Sequence, residues 1–183
     1  GKGVVLCKDT PNFIGNRIGS MWGSTTFKYA IEDDFTVEEV DAITGSLIGL
    51  PNSASCRLID IVGVDIWYHV GGNLYNMVPN DPWRERFQPH PVMDELMKRN
   101  WLGDKTGQGF YKRVGPAKEI HALNWKTFEY APAAKPKFSS VEQAKLIEDL
   151  PARLRALVAS NDKAGNFLWK LFRDVLLYSA ERI

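Results

Sequence analysis

Apolar residues recur at helical spacing along most of this chain. Ile14, Ile18, Met21, Trp22 and Thr25 form one stripe. Thr10-Pro11 ahead of it supplies a capping hydroxyl and then a proline suited to a first helical position. The pattern predicts a helix running to about Glu32. A capping box, Thr36 to Glu39, opens a second helix that turns Val37, Val40, Ile43 and Leu47 inward and ends near Gly49, before Pro51. After the turn LPNSAS, residues 54–78 are apolar nearly all round, which predicts a central bundle helix, with Gly63, Gly71 and Gly72 as its weak points.

The remaining pattern is more broken. PNDPWRERFQPHP holds four prolines and reads as an irregular surface loop. Pro91 opens a short helix with Met93, Leu96 and Met97 inward, ending at Gly103. GVVLCKD near the start predicts a short buried strand on Val4, Val5 and Leu6. GDKTGQGFYKR predicts a turn into a strand, and EIHALNWKTFEY its return, giving a small hairpin. APAAKPKF is a linker by composition. Ser139 and Ser140 then offer two overlapping capping boxes, Pro151 marks a further division, and Phe167, Leu168, Leu171, Val175 and Leu176 define a last amphipathic helix. The fold class expected is all-α, a helical bundle with a small β-hairpin.

Composition changes this picture little. The 183 residues suffice for one domain, or one and part of another, and can bury a real core. A net charge of +1 argues against a nucleic-acid or membrane-surface protein, and KRNWLGDKTGQGFYKR, with five Lys/Arg against one Asp, reads as a solvated face. No apolar run reaches the roughly 18 residues that span a bilayer. Cys7 and Cys56 stand far apart with no signal peptide, which suggests reduced thiols and a cytoplasmic setting. No metal-ligand spacing is present. Both ends look like cuts through a longer polypeptide.

Candidate chemistry concentrates in the first helix. Gly15, Gly19 and Gly23 stand four apart, and each weakens a helix interior by about 1 kcal/mol relative to alanine. They smooth one edge for the approach of a backbone or a flat ligand. Asn16 beside them is a poor helix-interior residue, so it is either a structural buried amide or a ligand contact. GDKTGQGF lacks the glycine before Lys-Thr that a phosphate loop needs, and is a glycine turn. His69 reads as a core histidine, His90 as a cap for the helix at Pro91, and His121 as a strand residue. Arg57 and Asp60, three apart, read as an ion pair.

Three ordered motifs then carry a resemblance. VVLCKDTPNFIGNRI resembles the segment joining the two domains of 3-hydroxyacyl-CoA dehydrogenases, where D-T-P-G-F-I-x-N-R opens the helical domain. GLPNSASCRLIDIVGVD is similar to that family's G-x-P turn and L-x-D-x-V-G-x-D helix, and GDKTGQGFYK to its K-T-G-x-G-F-Y element. Asn12 departs from the pattern, since the family has glycine there. The resemblance implies a helical bundle like the C-terminal domain of 6-phosphogluconate dehydrogenase, with the Rossmann domain absent. Residues 1–9 would be the terminal strand and linker of that absent domain, 10–115 the helical domain, 116–137 the hairpin and linker, and 138–183 helices leading into a truncated second helical repeat.

The same resemblance implies oxidation of (3S)-hydroxyacyl-CoA to 3-ketoacyl-CoA with NAD in fatty-acid β-oxidation. Asn16 would be the catalytic-site residue of this chain and would contact the substrate, with Phe13 and Pro51 lining the acyl tunnel. NAD, the catalytic histidine and its glutamate belong to the nucleotide-binding domain, so this chain alone should bind no NAD and turn over no substrate. Implied partners are the acyl-CoA, the upstream Rossmann domain, a hydratase domain in the same polypeptide, and a second copy in a homodimer. Two alternatives stand beside this: a non-catalytic helical dimerisation module, and a related dehydrogenase of non-CoA 3-hydroxy acids.

Overall fold

The computed structural model describes residues 3–182. Among them are eight α-helices: α1 (Gly15–Glu32), α2 (Val37–Ile43), α3 (Cys56–Val62), α4 (Val64–Met77), α5 (Pro91–Lys98), α6 (Ser139–Ala144), α7 (Leu150–Val158) and α8 (Lys163–Ala180). Three strands, β1 (Tyr111–Val114), β2 (Glu119–Asn124) and β3 (Glu129–Pro132), form an antiparallel meander in the order β1-β2-β3. The helical class expected from the periodicity holds. The expected hairpin is a three-stranded sheet instead, because the return segment itself turns at 125–128: the Asn124 side chain accepts the Lys126 amide at 2.9 Å, and Phe128 adopts φ 57°.

α1 is the axis of the molecule. It packs along α8 on one side and against α4 and the 3₁₀ turn Arg84–Phe87 on another. Met21 and Ala30 of α1, Ile43 of α2, Leu74 of α4, Phe110, and Phe167 and Leu171 of α8 lie fully buried in one continuous cluster. Phe27 of α1 stacks on Phe110 at 5.4 Å, and Phe35 meets Phe167 at 4.8 Å. These contacts tie the first, middle and last thirds of the chain into a single core.

Several expectations change. Val4, Val5 and Leu6 are exposed and form no strand; nothing pairs with their backbone among the described residues. The helix expected from Pro11 starts at Gly15, because Asn12 and Phe13 sit in the left-handed region at φ 62° and 49°. That φ costs an L residue, and asparagine bears it better than most. The second helix stops at Ile43, and a 3₁₀ turn, Ser46–Ile48, reaches Gly49 at φ 81°. The 54–78 segment breaks at Gly63, φ 113°, into α3 and α4, and their outer face leaves Leu58, Ile61, Val62 and Ile66 exposed.

Capping follows sequence in part. The Thr36–Glu39 box forms both of its bonds, and His90 Nδ1 accepts the Val92 amide at 3.2 Å to cap α5. α6 forms no side-chain cap; Ser140 instead gives its amide and hydroxyl to Asp162, whose side chain also caps α8. The proline-rich segment is more than a surface loop, since it buries Asp81 and Phe87 and sends Arg86 to Asp174 of α8 at 2.8 Å. His69, expected in the core, is exposed.

Candidate functional site on the opening turn of the first helix

Local sequence builds the start of α1 weakly. Pro11 opens a turn over residues 11–14, and the chain bends through Asn12 and Phe13, with the Phe13 amide donating to the Thr10 carbonyl at 2.9 Å. Ile14, the cap position, offers no side-chain acceptor, and the first turn holds no acidic residue. The free N–H groups there gain nothing from the usual devices. Phe13 and Ile14 are 59% and 51% exposed, and Asn16 is exposed beside them. An amide with two apolar neighbours thus stands open to solvent at one end of α1.

The three glycines of α1 serve different ends. A Cβ at Gly23 would collide with the Trp67 indole of α4, so this glycine is the point of closest approach between the two helices. Gly15 and Gly19 have open space within 4 Å, and leave the helix edge around Asn16 bare.

Beneath the opening turn lies a buried ionic cluster. Arg17 donates through Nε to Tyr178 Oη at 2.6 Å and through Nη2 to Asp81 at 2.5 Å. The Tyr178 hydroxyl and Arg182 also donate to Asp81, at 3.0 and 3.2 Å, and the Trp83 amide completes it at 2.9 Å. Burial opposes ionisation of Asp81, yet the Trp83 amide, Arg17, Tyr178 and Arg182 outweigh it and hold the carboxyl below the usual range. A second cluster joins α1 to α8 further along: Tyr29 and Arg86 both donate to Asp174, at 2.6 and 2.8 Å.

The other two motifs hold each other. Asp60 of α3 accepts the Phe110 amide and the Tyr111 amide, each at 2.8 Å. A Cβ at Gly103 or Gly109 would collide with Asp60, so the glycine turn closes around a carboxylate. Lys105 pairs with Asp65, and Arg57 forks onto Asp104, with one arm at 2.7 Å. Arg57 therefore does not pair with Asp60, whose oxygens are committed to backbone. Asp41 of α2 accepts the Ser55, Cys56 and Arg57 amides at the start of α3, and the Tyr111 hydroxyl at 2.9 Å. These residues build the fold.

Phe13 and Asn16 share the opening turn. Pro51 lies elsewhere, exposed after Gly49, its carbonyl accepting the Ala54 amide at 2.9 Å; the adjoining 3₁₀ turn packs on α2 and α7. Two of the clefts among the described residues bear on these positions. One of about 440 Å³ lies between α1, α4 and residues 85–94, with Ser20, Trp67 and Phe87 among its walls. The other, about 730 Å³, lies between the start of α3 and β1, lined by Arg57, Tyr111 and Arg113. Neither takes in Phe13, Asn16 or Pro51.

The chemistry of the opening turn is limited to hydrogen bonding and apolar contact. A carboxamide donates and accepts but moves no proton at neutral pH. His90 is committed to its cap and held neutral by burial, which lowers its pKa. A dinucleotide pyrophosphate needs a strand, a glycine turn and a helix N-terminus in sequence. The sheet is antiparallel throughout and the glycine turn is filled by Asp60, so the described residues do not fit NAD. No group of three or more His, Cys, Asp or Glu among them could hold a metal ion, and no helix is long and apolar enough to cross a membrane.

The three ordered motifs thus sit on one helical bundle, two of them locked together and one presenting an open amide. The family model described as 3-hydroxyacyl-CoA dehydrogenase, C-terminal domain, matches residues 13–113, and the chain belongs to that family. A probable 3-hydroxyacyl-CoA dehydrogenase of Bacillus subtilis is 43% identical over 99% of this chain and 23% of its own length. A putative fatty acid oxidation complex trifunctional enzyme of Rickettsia prowazekii is 27% identical over 97% of this chain and 24% of its own. The crystal structure of 3-hydroxybutyryl-CoA dehydrogenase from Escherichia coli shares 26% identity over 76% of this chain and 26% of its own, with a TM-score of 0.49. The chain spans about a quarter of the length of the two relatives that it matches nearly end to end.

The sequence reading missed the residues that hold the opening turn. Arg17, Asp81 and Tyr178 lie far apart in the chain, and no periodicity links them. One signal was present: Arg17 sits on the inward side of α1, and an arginine there requires a buried partner.

Proposed function

We propose that this chain is the helical part of an NAD-dependent 3-hydroxyacyl-CoA dehydrogenase of fatty-acid β-oxidation, which oxidises (3S)-hydroxyacyl-CoA to the 3-ketoacyl-CoA. It supplies one wall of a substrate cleft whose other wall, with NAD and the acid–base residues, is a nucleotide-binding domain upstream. Asn16 hydrogen-bonds the 3-hydroxy or 3-keto group, and Phe13 borders the acyl chain beside it. Pro51 contributes to that lining only if the neighbouring domain reaches both edges. One relative is named a trifunctional enzyme, which supports a fused arrangement with a hydratase domain. A cytoplasmic setting, with Cys7 and Cys56 as free thiols, belongs to this reading.

The observation that carries the proposal is the open carboxamide of Asn16 within the family's own motif, on a helix edge bared by Gly15 and Gly19. The test is Asn16→Ala in the full-length protein, assayed as NADH-dependent reduction of acetoacetyl-CoA. A fall in kcat of about 10²–10³, the scale of losing one preorganised donor, is expected; unchanged turnover overturns the assignment. The 183-residue chain alone should show no turnover and no NAD binding.

One observation favours a second reading, a helical dimerisation module. Leu58, Ile61 and Val62 of α3, Ile66 of α4, and Trp169 and Leu176 of α8 are large apolar residues left exposed. The same Asn16→Ala experiment separates the two, since a module without catalytic duty keeps full activity.

A further inference from the structure

We propose that Arg17, with Asp81 and Tyr178, forms a clamp that positions Asn16, replacing the helix cap that the opening turn of α1 lacks. This rests on the reading of Asn16 given above and adds to it the residues that aim the carboxamide.

The argument begins with what is missing locally. The first turn has no side-chain cap and no acidic residue, begins at a glycine, and follows two residues of positive φ. Such a turn frays readily, and its side chains are then not held in one direction. Asn16 itself is exposed. Directly after it comes Arg17, whose side chain is 11% exposed and whose carboxylate partner, Asp81, is 1% exposed. The guanidinium is fixed at two nitrogens, to Tyr178 at 2.6 Å and to Asp81 at 2.5 Å. Tyr178 also donates to Asp81 at 3.0 Å, which closes a triangle of hydrogen bonds.

The triangle joins three separate parts of the molecule. Asp81 lies just beyond α4 and Tyr178 near the end of α8, both packed against α1. Successive helical residues differ by about 100° around the axis, so fixing Arg17 inward fixes the direction in which Asn16 points outward. Breaking one member leaves a buried charge short of a partner, and the turn would relax to satisfy it. A misplacement on the order of 1 Å costs about a hundredfold in a positioned reaction.

The experiment is a double-mutant cycle in the full-length protein, read as kcat and KM for acetoacetyl-CoA. Tyr178→Phe removes the hydroxyl that links Arg17 to Asp81 and keeps the buried ring. It is expected to lower kcat about tenfold with KM changed less than about twofold. In the Asn16→Ala background the same change is expected to leave kcat where Asn16→Ala alone puts it, because a missing carboxamide cannot be misplaced. Losses that multiply in the double mutant, or full kcat in Tyr178→Phe, overturn the clamp. Full kcat in Asn16→Ala overturns the assignment of Asn16 itself, and the clamp with it. Arg182→Gln, which removes a more exposed donor to Asp81, repeats the cycle should Tyr178→Phe not fold, with the same pattern expected and the same multiplication of losses overturning it.

Discussion

A methyl group placed at Gly23 runs into the Trp67 indole, whereas one at Gly15 or Gly19 meets nothing within 4 Å. Gly23→Ala is therefore expected to destabilise the chain by about 1–3 kcal/mol, the cost of overpacking a built contact. Gly15→Ala and Gly19→Ala should each raise stability by about 0.5–1 kcal/mol, since alanine favours the helix and no contact is lost. Urea midpoints for the three variants decide this, and opposite signs are the expected result. The row of glycines was legible in sequence, but its division of labour was not, because spacing alone does not say which neighbour comes close. The left-handed Asn12 was hidden for a related reason: Thr10-Pro11 fits a helix start so well that a turn after it leaves no mark. Arg57 misled through its spacing from Asp60, whose oxygens had already been taken by two backbone amides.

Between elements, the turn 103–111 depends on α3 through Asp60, and this dependence responds to pH. Burial pushes the Asp60 carboxyl up to about 7, against the pull of the Phe110 and Tyr111 amides, from an ordinary value of 3.8. In that interval the folded chain keeps a proton that the unfolded chain releases. The stability it contributes is full below about pH 4 and is lost as pH rises through 7, at about 1.4 kcal/mol per pH unit where the slope is steepest. Asp41, also raised chiefly by burial, adds to the same limb. Asp81 and Asp174 act oppositely: despite burial, their hydrogen bonds and ion pairs hold both below the usual range, so their contribution is lost as pH falls below about 4. Urea midpoints of the 183-residue chain should peak near about pH 4–5 and decline to about pH 8. Asp60→Asn should make that decline shallower and lower stability by about 1–3 kcal/mol, since an amide NH₂ would face one of the two backbone donors. At this scale the elements were largely readable. The periodicity located the main helices, but the breaks after Ile43 and at Gly63, and the turn inside the sheet, are set by tertiary contacts that outweigh local propensity.

Taken whole, the molecule extends its core well past the residues that carry the family's motifs. The family match ends at residue 113, yet α8 lies along α1 and buries Phe167, Leu168, Leu171 and Tyr178 completely. Nothing in the amphipathic pattern of α8 says which helix it meets; the pairing becomes visible only through Tyr178 on Arg17 and Asp174 on Tyr29. Each fully buried large side chain contributes roughly 1.5–3 kcal/mol, so these four supply roughly 6–12 kcal/mol. That gross term, before the entropy of ordering the segment is subtracted, is comparable in size to the net stability of a typical domain, about 5–15 kcal/mol. Removing residues 138–183 should therefore cost the fold its cooperativity. The shortened chain also takes the Tyr178 hydroxyl from the buried Arg17, which keeps Asp81, and takes Asp174 from the half-buried Arg86. The expected result is a broad, non-cooperative thermal transition with strong binding of an apolar dye to the uncovered side of α1. A sharp transition without dye binding would mean that α1 finds its stability elsewhere, and that the last three helices are an appendage rather than a wall of the core.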